Sequence, residues 1–335
     1  MDSALWNNIN SNLIYKHLFG FLNEKILLGI LKYNKKLQNK LNIGINNYKD
    51  YYNKIEIEIE IDNTSKDISE NINFINIPKK DESYYHIFFN EKEFKKNYLT
   101  KDDNISKVKI IIDSNTKSLN NLFQTCSYIN KISFIKFNRK DINDMSCMFD
   151  DCSSLKEINF NKFNTDNVTN MNYMFNKCTS LQELNLNNFN TKNVKEMNYM
   201  FYKCSSLKEL NLNSFNTTNV TSMIYMFAKC KSLKEINLKS FNTSKVINMN
   251  YMFAECSSLK ELNLNSFNTN KLKDTYHMFE ECSSLNELQW NNLNKNKISN
   301  ISGMFIKCSD NFIRKIKNKF KYLKPEAFAI PKFKK

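Results

Sequence analysis

The sequence predicts an α/β solenoid, built from a parallel ladder of strands with one short helix per repeat and preceded by a small helical module. Three observations lead to this prediction. Eight cysteines recur at an interval of 26 residues from Cys126 to Cys308, and eight phenylalanines keep the same interval from Phe123 to Phe305. Within each interval, one segment has the apolar spacing of a helix and another has that of a strand. A fixed period of about 20 to 50 residues is typical of proteins that stack one supersecondary unit many times.

The composition excludes several classes of protein. With 41% hydrophobic residues among 335, the chain can bury a sizeable core and is expected to fold. Its 4 glycines form neither G-x-G-x-x-G nor a P-loop, which argues against nucleotide-binding sites of those types. The 3 histidines, His17, His86 and His277, are scattered, and no C-x-x-C pair occurs. We therefore expect no metal site, no cofactor and no catalytic centre.

The N-terminus and the hydropathy pattern favour a cytoplasmic protein. No apolar run approaches the roughly 18 residues of a membrane-spanning helix, so no integral membrane segment is expected. The first residues, from Met1 to Asn8, include an acidic residue where a signal peptide carries Lys or Arg, and they reach Asn before an apolar segment forms. Location at the cell surface would require export by a route that the sequence does not reveal.

The helix of each repeat is predicted from segments such as residues 171–178. Positions i, i+3, i+4 and i+7 of this segment are occupied by Met171, Met174, Phe175 and Cys178. This spacing puts the four side chains on one face of a two-turn helix. Because the same residue types recur in every repeat, the Met and Phe columns are expected to form the core. The Cys column is expected to hold free, buried thiols; disulfides between successive turns, about 4.8 Å apart, are the alternative at an oxidised surface.

The strand of each repeat follows a few residues later. Leu184 and Leu186 alternate with polar residues, which is the period of a half-buried strand. A single unit is too small to stand alone, so neighbouring units are expected to stack with strands about 4.8 Å apart. A turn with Asn and Thr then leaves the strand. Its threonines recur as a column that we interpret as a ladder of turn residues, namely Thr165, Thr191, Thr217, Thr243 and Thr269.

The repeats carry a resemblance to a known family. The segment from Leu181 to Phe189 resembles the L-x-x-L-x-L core of leucine-rich repeats. The whole unit, with Asn-Val-Thr-x-Met at 167–171 and Met-Phe-x-x-Cys at 174–178, resembles the 26-residue repeat of BspA-type leucine-rich repeat surface proteins. The resemblance covers residues 116–308. It implies a leucine-rich-repeat solenoid that binds protein and has no catalytic centre, and the members of that family are often exported to the cell surface.

The polar strand positions form the predicted ligand face. In leucine-rich solenoids this face is concave and binds ligands, so we predict a protein ligand here. The face hardly varies between repeats, which suits either a repetitive ligand or a recent duplication. Lysines beside the glutamates can offset their mutual repulsion. The predicted face consists of Glu157, Asn159, Glu183, Asn185, Glu209, Asn211, Glu235, Asn237, Glu261, Asn263 and Glu287, with Gln289 at its end.

Residues 1–49 are predicted to form a helical module. Segments 12–22, 26–31 and 34–41 together resemble an F-box, the helical motif that docks a substrate adaptor onto a Skp-type ubiquitin-ligase subunit. That resemblance implies such a subunit as a partner. The alternative interpretation is a helical cap for the solenoid. The candidate docking residues are Leu13, Leu18, Phe19, Leu22, Ile26, Leu27, Ile30 and Leu31.

The two segments that flank the repeats are predicted to cover their ends. Residues 50–115 are interpreted as a β-rich bridge, in which Ile and Glu alternate from Ile55 to Ile61. Residues 72–77, 84–89 and 108–112 have the composition of further strands, and the last of these is expected to pair with the first repeat. Residues 309–335 hold an amphipathic basic helix that is expected to cap the last repeat. Contact of this helix with nucleic acid or an anionic membrane is the alternative.

The leading hypothesis is a non-enzymatic interaction protein inside the cell. Two settings for this role remain open. In the first, the chain is an F-box-type adaptor that binds a Skp-type subunit through its N-terminal module and a target through the solenoid. In the second, it is a BspA-like cell-surface or adhesion protein, which glycans or disulfides would favour.

Overall fold

The computed structural model describes residues 24–41, 43–62, 71–100, 102–103, 105–161, 163–293 and 298–329. These residues have a mixed α/β fold, and the chain divides into two compact units between Lys54 and Ile55. None of the described helices is long and apolar enough to cross a membrane.

The first unit contains three short helices in its described part. They are α1 (Glu24–Leu31), α2 (Lys35–Leu41) and α3 (Ile45–Asn53). Asn34 begins α2 as its N-cap, because its side-chain oxygen accepts a hydrogen bond from the backbone N–H of Leu37 at 3.0 Å. Leu28, Leu31 and Leu37 are buried. Helical structure therefore extends to Asn53, whereas the sequence analysis ends the helical module at residue 49.

The second unit begins with a six-stranded sheet in the order β4-β3-β6-β1-β7-β8. Its strands are β1 (Ile55–Ile61), β3 (Tyr85–Phe89), β4 (Lys92–Phe94), β6 (Lys107–Ile112), β7 (Ile129–Lys136) and β8 (Glu157–Asn159); β2 (Ile72–Asn73) and β5 (Tyr98–Leu99) form a separate antiparallel pair. The four isoleucines of β1 are buried, as its alternating sequence predicts.

The pairing of β1 corrects one expectation. The sequence predicts that segment 108–112 pairs with the first repeat, but β6 pairs with β1 and β3 instead. The strand that pairs with β7 of the first repeat is β1, in antiparallel register with Ile57 opposite Phe134. The alternating isoleucines of β1 match the buried positions of both neighbours, which places β1 between them.

The repeats stack through two sets of parallel backbone contacts. The first set joins short strands: β7 pairs with β8, β9 (Glu209–Asn211) with β10 (Glu235–Asn237), and β11 (Glu261–Asn263) with β12 (Glu287–Gln289). Residues 183–185 are described and form no strand. The second set is a continuous row of parallel bridges at 26-residue intervals from Ser118 to Asn300. Strands thus recur at the predicted spacing. The row of bridges is more continuous than the row of strands, and it lies in a different part of the repeat.

The helix predicted in each repeat is replaced by a series of turns, which corrects the sequence analysis. Tyr173 and Lys177 have φ angles of 59° and 56°, and their equivalents in the other repeats also have positive φ. A residue with positive φ every fourth position interrupts an α-helix. Alternate N–H groups instead bond to the next repeat, as from Phe175 to the carbonyl oxygen of Met200 at 2.9 Å. The i, i+3, i+4 and i+7 side chains still point to one side, so the Met, Phe and Cys columns are buried as predicted.

The Cys column consists of free, buried thiols, as the sequence predicts. Each thiol from Cys152 to Cys308 donates a hydrogen bond to a phenylalanine carbonyl oxygen of the preceding repeat, at sulfur–oxygen distances of 2.9 to 3.2 Å. Burial raises the pKa of every thiol in the column, to about 12 for Cys126 and Cys308. The phenyl rings of adjacent repeats stack at 5.4 to 5.8 Å from Phe123 to Phe305.

The C-terminal segment occupies the position that a further repeat would take. Helix α4 (Asp310–Lys319) buries Phe312 and Ile316, and a short 3-10 helix follows at Pro325–Phe328. The backbone N–H of Phe305 donates to the carbonyl oxygen of Ala327 at 2.8 Å. In the other repeats, the equivalent N–H donates to the next repeat. The ring of Phe328 then stacks on that of Phe305 at 5.7 Å. This segment therefore satisfies the backbone groups and the aromatic face of the last repeat.

Candidate functional site

The sequence-predicted ligand face, here called the Glu–Asn face, lies along the exposed side of the short strands. Its members are exposed because the residue between each Glu and Asn points into the core, as Leu210 does between Glu209 and Asn211. The exposed members are Glu157, Asn159, Glu183, Asn185, Glu209, Asn211, Glu235, Asn237, Glu261, Asn263 and Glu287; Gln289 is half-buried. The structure thus brings the predicted residues together in two adjacent rows.

The glutamates of this face stand in register. Glu209 lies opposite Glu235 in one strand pair, and Glu261 lies opposite Glu287 in another. Among the described residues, the only ion pair of this row joins Glu157 to Lys131 at 2.8 Å. Like charges directly opposite each other in a sheet are destabilising, so the row keeps its carboxylates exposed at an electrostatic cost.

The asparagines of the same face have a structural role that the sequence analysis missed. The side-chain oxygen of Asn211 accepts a hydrogen bond from the backbone N–H of Asn213, two residues later, at 3.0 Å. The same bond, accepted from the backbone N–H two residues later, recurs at 3.0 to 3.1 Å for the side-chain oxygens of Asn159, Asn185, Asn237 and Asn263. These are Asx turns, and all of them except that of Asn185 end a strand. The oxygen is therefore engaged in the turn, while the rest of the amide faces outward.

A shallow groove of about 540 Å³ lies on the Glu–Asn face between the repeats of β10, β11 and β12. Its lining includes Lys234, Glu235, Lys260, Glu261 and Glu287. Lysine and glutamate columns thus run side by side along the groove, as the sequence predicts. The groove can form hydrogen bonds and ion pairs with an extended polar segment.

The Thr column is a ladder of turn residues, in agreement with the sequence analysis. The hydroxyl of Thr217 donates to the backbone oxygen of Asn242 at 2.9 Å and accepts from the N–H of the same residue at 2.8 Å. The other members make the same donation to the following repeat, and all are buried: Thr165, Thr191, Thr243 and Thr269. The column holds repeats together and offers no ligand surface.

A column of stacked tyrosines on another side of the repeats was missed by the sequence analysis. This Tyr ladder consists of Tyr173, Tyr199, Tyr225 and Tyr251, whose ring centroids are 4.6, 4.7 and 4.4 Å apart with interplanar angles of 8° to 15°. All four side chains are half-buried. Burial raises the pKa of each, to about 12 for Tyr199. The signal for this ladder in the sequence was the 26-residue interval between the tyrosines.

The Tyr ladder continues into residues of other types at its two ends. His277 stacks on Tyr251 at 5.1 Å, and Gly303 takes the same position in the next repeat. Cys147 and Asn121 take it at the other end. All eight positions have φ between 54° and 64°, so this site in the turn series requires the left-handed region whatever the side chain.

A charged column runs beside the Tyr ladder. Ion pairs between adjacent repeats join Lys177 to Asp151 at 3.6 Å and Lys229 to Glu255 at 3.1 Å, and another joins Lys307 to Glu281. Lys203, in the middle of this column, makes no ion pair with any residue that the structure describes. Its ammonium group lies 5.7 Å from the ring of Tyr202 instead.

The candidate docking residues of the N-terminal module are only partly described. Leu13, Leu18, Phe19 and Leu22 lie outside the described residues. Ile26 and Ile30 are 49% and 42% exposed on α1, Leu27 is half-buried, and Leu31 is fully buried. The first two thus have accessible apolar surface, whereas Leu31 belongs to the core of the helical unit.

Comparison with known proteins bears on the repeats and on α4. The family described as "Mycoplasma protein of unknown function, DUF285" matches residues 117–236 and 207–319, which overlap and together span more than half of the chain. No curated protein and no solved structure matches the chain.

Proposed function

The chain belongs to the DUF285 family of Mycoplasma proteins of unknown function, and on that premise we propose that it is a non-enzymatic scaffold for protein binding. Its stacked repeats form a solenoid of the leucine-rich type, and the Glu–Asn face binds the protein ligand. The family match supports the repeat architecture, since both matched segments consist mainly of repeats.

The observation that carries this proposal is the exposed, in-register row of glutamates. Most other columns of the repeat are buried or bonded to the next repeat: the Met, Phe and Cys columns form the core, and the Thr column joins neighbouring turns. The glutamates are held outward in register and close together, with a groove of about 540 Å³ beside them. A partner that carries basic or hydrogen-bonding groups would complement this exposed row of carboxylates.

The buried thiols of the Cys column are core residues rather than nucleophiles. Cysteine is the most reactive side chain that recurs in the repeats, and burial raises the pKa of each column thiol far above neutrality. A protonated thiol is a poor nucleophile, so these side chains act as core residues.

Charge-neutral variants of the Glu–Asn face test the proposal. The triple variant Glu209→Gln, Glu235→Gln and Glu261→Gln removes three charges and keeps the side-chain volume. We expect protein partners that are captured by the full chain, and identified by mass spectrometry, to be lost with this variant. The matched control, Lys192→Gln with Lys195→Gln and Lys245→Gln, changes three charges elsewhere on the repeats. Equal capture of partners by the unchanged chain, the glutamate variant and the lysine control would refute the Glu–Asn face as the binding surface.

The setting in which the scaffold acts is a second question with its own test. Exposure of Ile26 and Ile30 supports docking through α1, as an F-box-type adaptor requires. The surface-protein alternative rests on the resemblance of the repeats to BspA-type proteins. The variant Ile26→Asp with Ile30→Asp should abolish capture of a Skp-type subunit if the adaptor setting is correct. Labelling of the chain on intact cells by a membrane-impermeant reagent would support the surface setting.

A further inference from the structure

We propose that the Tyr ladder and its charged column form a symmetric interface between two antiparallel copies of this chain. The two-fold axis crosses the ladder at the repeat of Tyr225. This surface is distinct from the Glu–Asn face, so the proposal goes beyond the function proposed above and does not depend on it.

The stacking of the repeats makes such an interface geometrically simple. Because the repeats are joined in register at 26-residue intervals, equivalent side chains form columns. In a two-fold dimer the same surface patch meets itself. When the axis runs across the ladder, the two ladders are antiparallel and each column faces its own copy in reverse order. With the axis at Tyr225, Tyr199 faces Tyr251 of the second copy.

The charged column is complementary to its own reverse about this axis. Lys203 faces Glu255, Lys177 faces Glu281, and Asp151 faces Lys307, so each pair combines opposite charges. On the axis, Lys229 faces Lys229 of the second copy. Within each chain, however, Lys229 is already paired with Glu255 at 3.1 Å. Moving the axis by half a repeat or a whole repeat in either direction sets two different lysines of the column against each other. Charge complementarity of this kind fixes the register of an interface.

The side chains of the columns next to the charged column also have sizes that are compatible with the same axis. Tyr202, which packs edge-on against Tyr199 and Tyr225, lies opposite Ala254, whose small side chain is buried and does not project toward it. On the axis, Ile224 faces its own copy. The half-buried Ile224 would then lose its remaining exposure, and tyrosines are among the residues most enriched in protein interfaces.

Lys203 gains a charged partner in the dimer. It stands between Lys177 and Lys229 in its column, and both of those make ion pairs within their own chain. In the dimer, Glu255 of the second copy lies opposite Lys203. The Glu–Asn face is not complementary to its own reverse in this way, because an antiparallel copy would set glutamate against glutamate along the row.

Charge reversal tests the interface. Sedimentation equilibrium of the full chain should show a dimer of twice 39.7 kDa. Lys203→Glu should weaken the dimer by about tenfold or more, as should Glu255→Lys, and the two changes combined should restore it. The control Lys192→Glu makes the same charge change at an exposed site outside the interface and should leave the dimer intact. A wild-type chain that stays monomeric at high concentration would overturn the proposal, as would failure of the combined variant to dimerise while it remains folded.

Cross-linking tests the position of the axis. In a Cys147→Ser background, Ile224→Cys places a thiol on the axis, where two copies approach each other. Mild oxidation should give a disulfide-linked dimer on a non-reducing gel. Thr221→Cys, an exposed site three residues earlier on a different side, should remain monomeric. Equal cross-linking of both variants would show that the contact is not specific and would count against the proposed axis.

Discussion

The thiol of Cys204 donates a hydrogen bond to the backbone carbonyl oxygen of Phe175, one repeat earlier, at a sulfur–oxygen distance of 3.1 Å. Both residues are fully buried. The bond recurs in seven successive repeats, so the Cys column joins neighbouring turns as well as filling the core. A small apolar residue of similar volume could fill the core, but it could not donate to that carbonyl.

Replacement of this thiol should destabilise the chain. Cys204→Ala removes the donor and leaves a small cavity, so we expect the free energy of unfolding to fall by about 1 to 3 kcal/mol. Urea denaturation followed by circular dichroism measures this change. Cys147→Ala is the control, since Cys147 is half-buried and lies outside the column. An equal loss in both variants would show that the inter-repeat bond contributes nothing.

The Thr column should be sensitive to loss of its hydroxyl alone. Thr217→Val keeps the shape of the side chain but leaves the N–H and carbonyl of Asn242 without this partner. We expect a loss of about 1 to 3 kcal/mol, because both backbone groups lose a hydrogen bond to a buried side chain. Thr218→Val, at an exposed neighbouring position, should be nearly neutral. Thermal denaturation of the two variants provides the comparison, and Thr217→Ser should recover most of the loss.

The stability contributed by Asp141 should depend on pH. Partial burial would raise its pKa, but hydrogen bonds from Arg139 at 2.6 Å and Lys117 at 2.5 Å outweigh that effect and lower the pKa from 3.8 to about 2. A lowered folded-state pKa stabilises the fold above the unfolded-state value, and this stabilisation is lost as the pH falls through about 2. Asp141→Asn should therefore lower the melting temperature at neutral pH, and its difference from wild type should shrink towards pH 2. A constant difference across this range would contradict the assignment.

Gly303 should tolerate no side chain. Its φ is 64°, and a Cβ atom would lie 2.5 Å from Nε2 of His277, whose ring is buried. That ring is held by Tyr251 and by Glu280, whose carboxylate lies 2.8 Å from Nδ1. Gly303→Ala should lower the melting temperature by several degrees. Gly29→Ala, in α1 with nothing within 4 Å, should leave it unchanged or raise it slightly.

The sequence predicted the period, the buried columns and the outward glutamates, because each depends on which side of the chain a residue faces. It did not predict the turn series. A helix and a chain of turns with positive φ at Tyr173 and Lys177 both place every third or fourth residue on one side, so apolar spacing cannot distinguish them. Residues other than glycine rarely adopt positive φ, and the hydrogen bonds to the next repeat that stabilise it here are not visible in a single unit. The Tyr ladder was missed for a related reason: its column changes to Cys147, His277 and Gly303 at the ends, so residue identity marks only four of its eight positions.

The in-register stacking limits how an array of this kind can change in length. Insertion or deletion of 26 residues, or of a multiple of 26, leaves each bond between repeats with an equivalent partner, whereas other numbers shift the Cys, Thr and backbone columns out of register. Variation in length should therefore proceed by whole units. Each added unit would extend the Glu–Asn face by one step, while the charge pattern beside the Tyr ladder would acquire a new centre. A duplication that is harmless to folding could in this way alter which copies recognise each other.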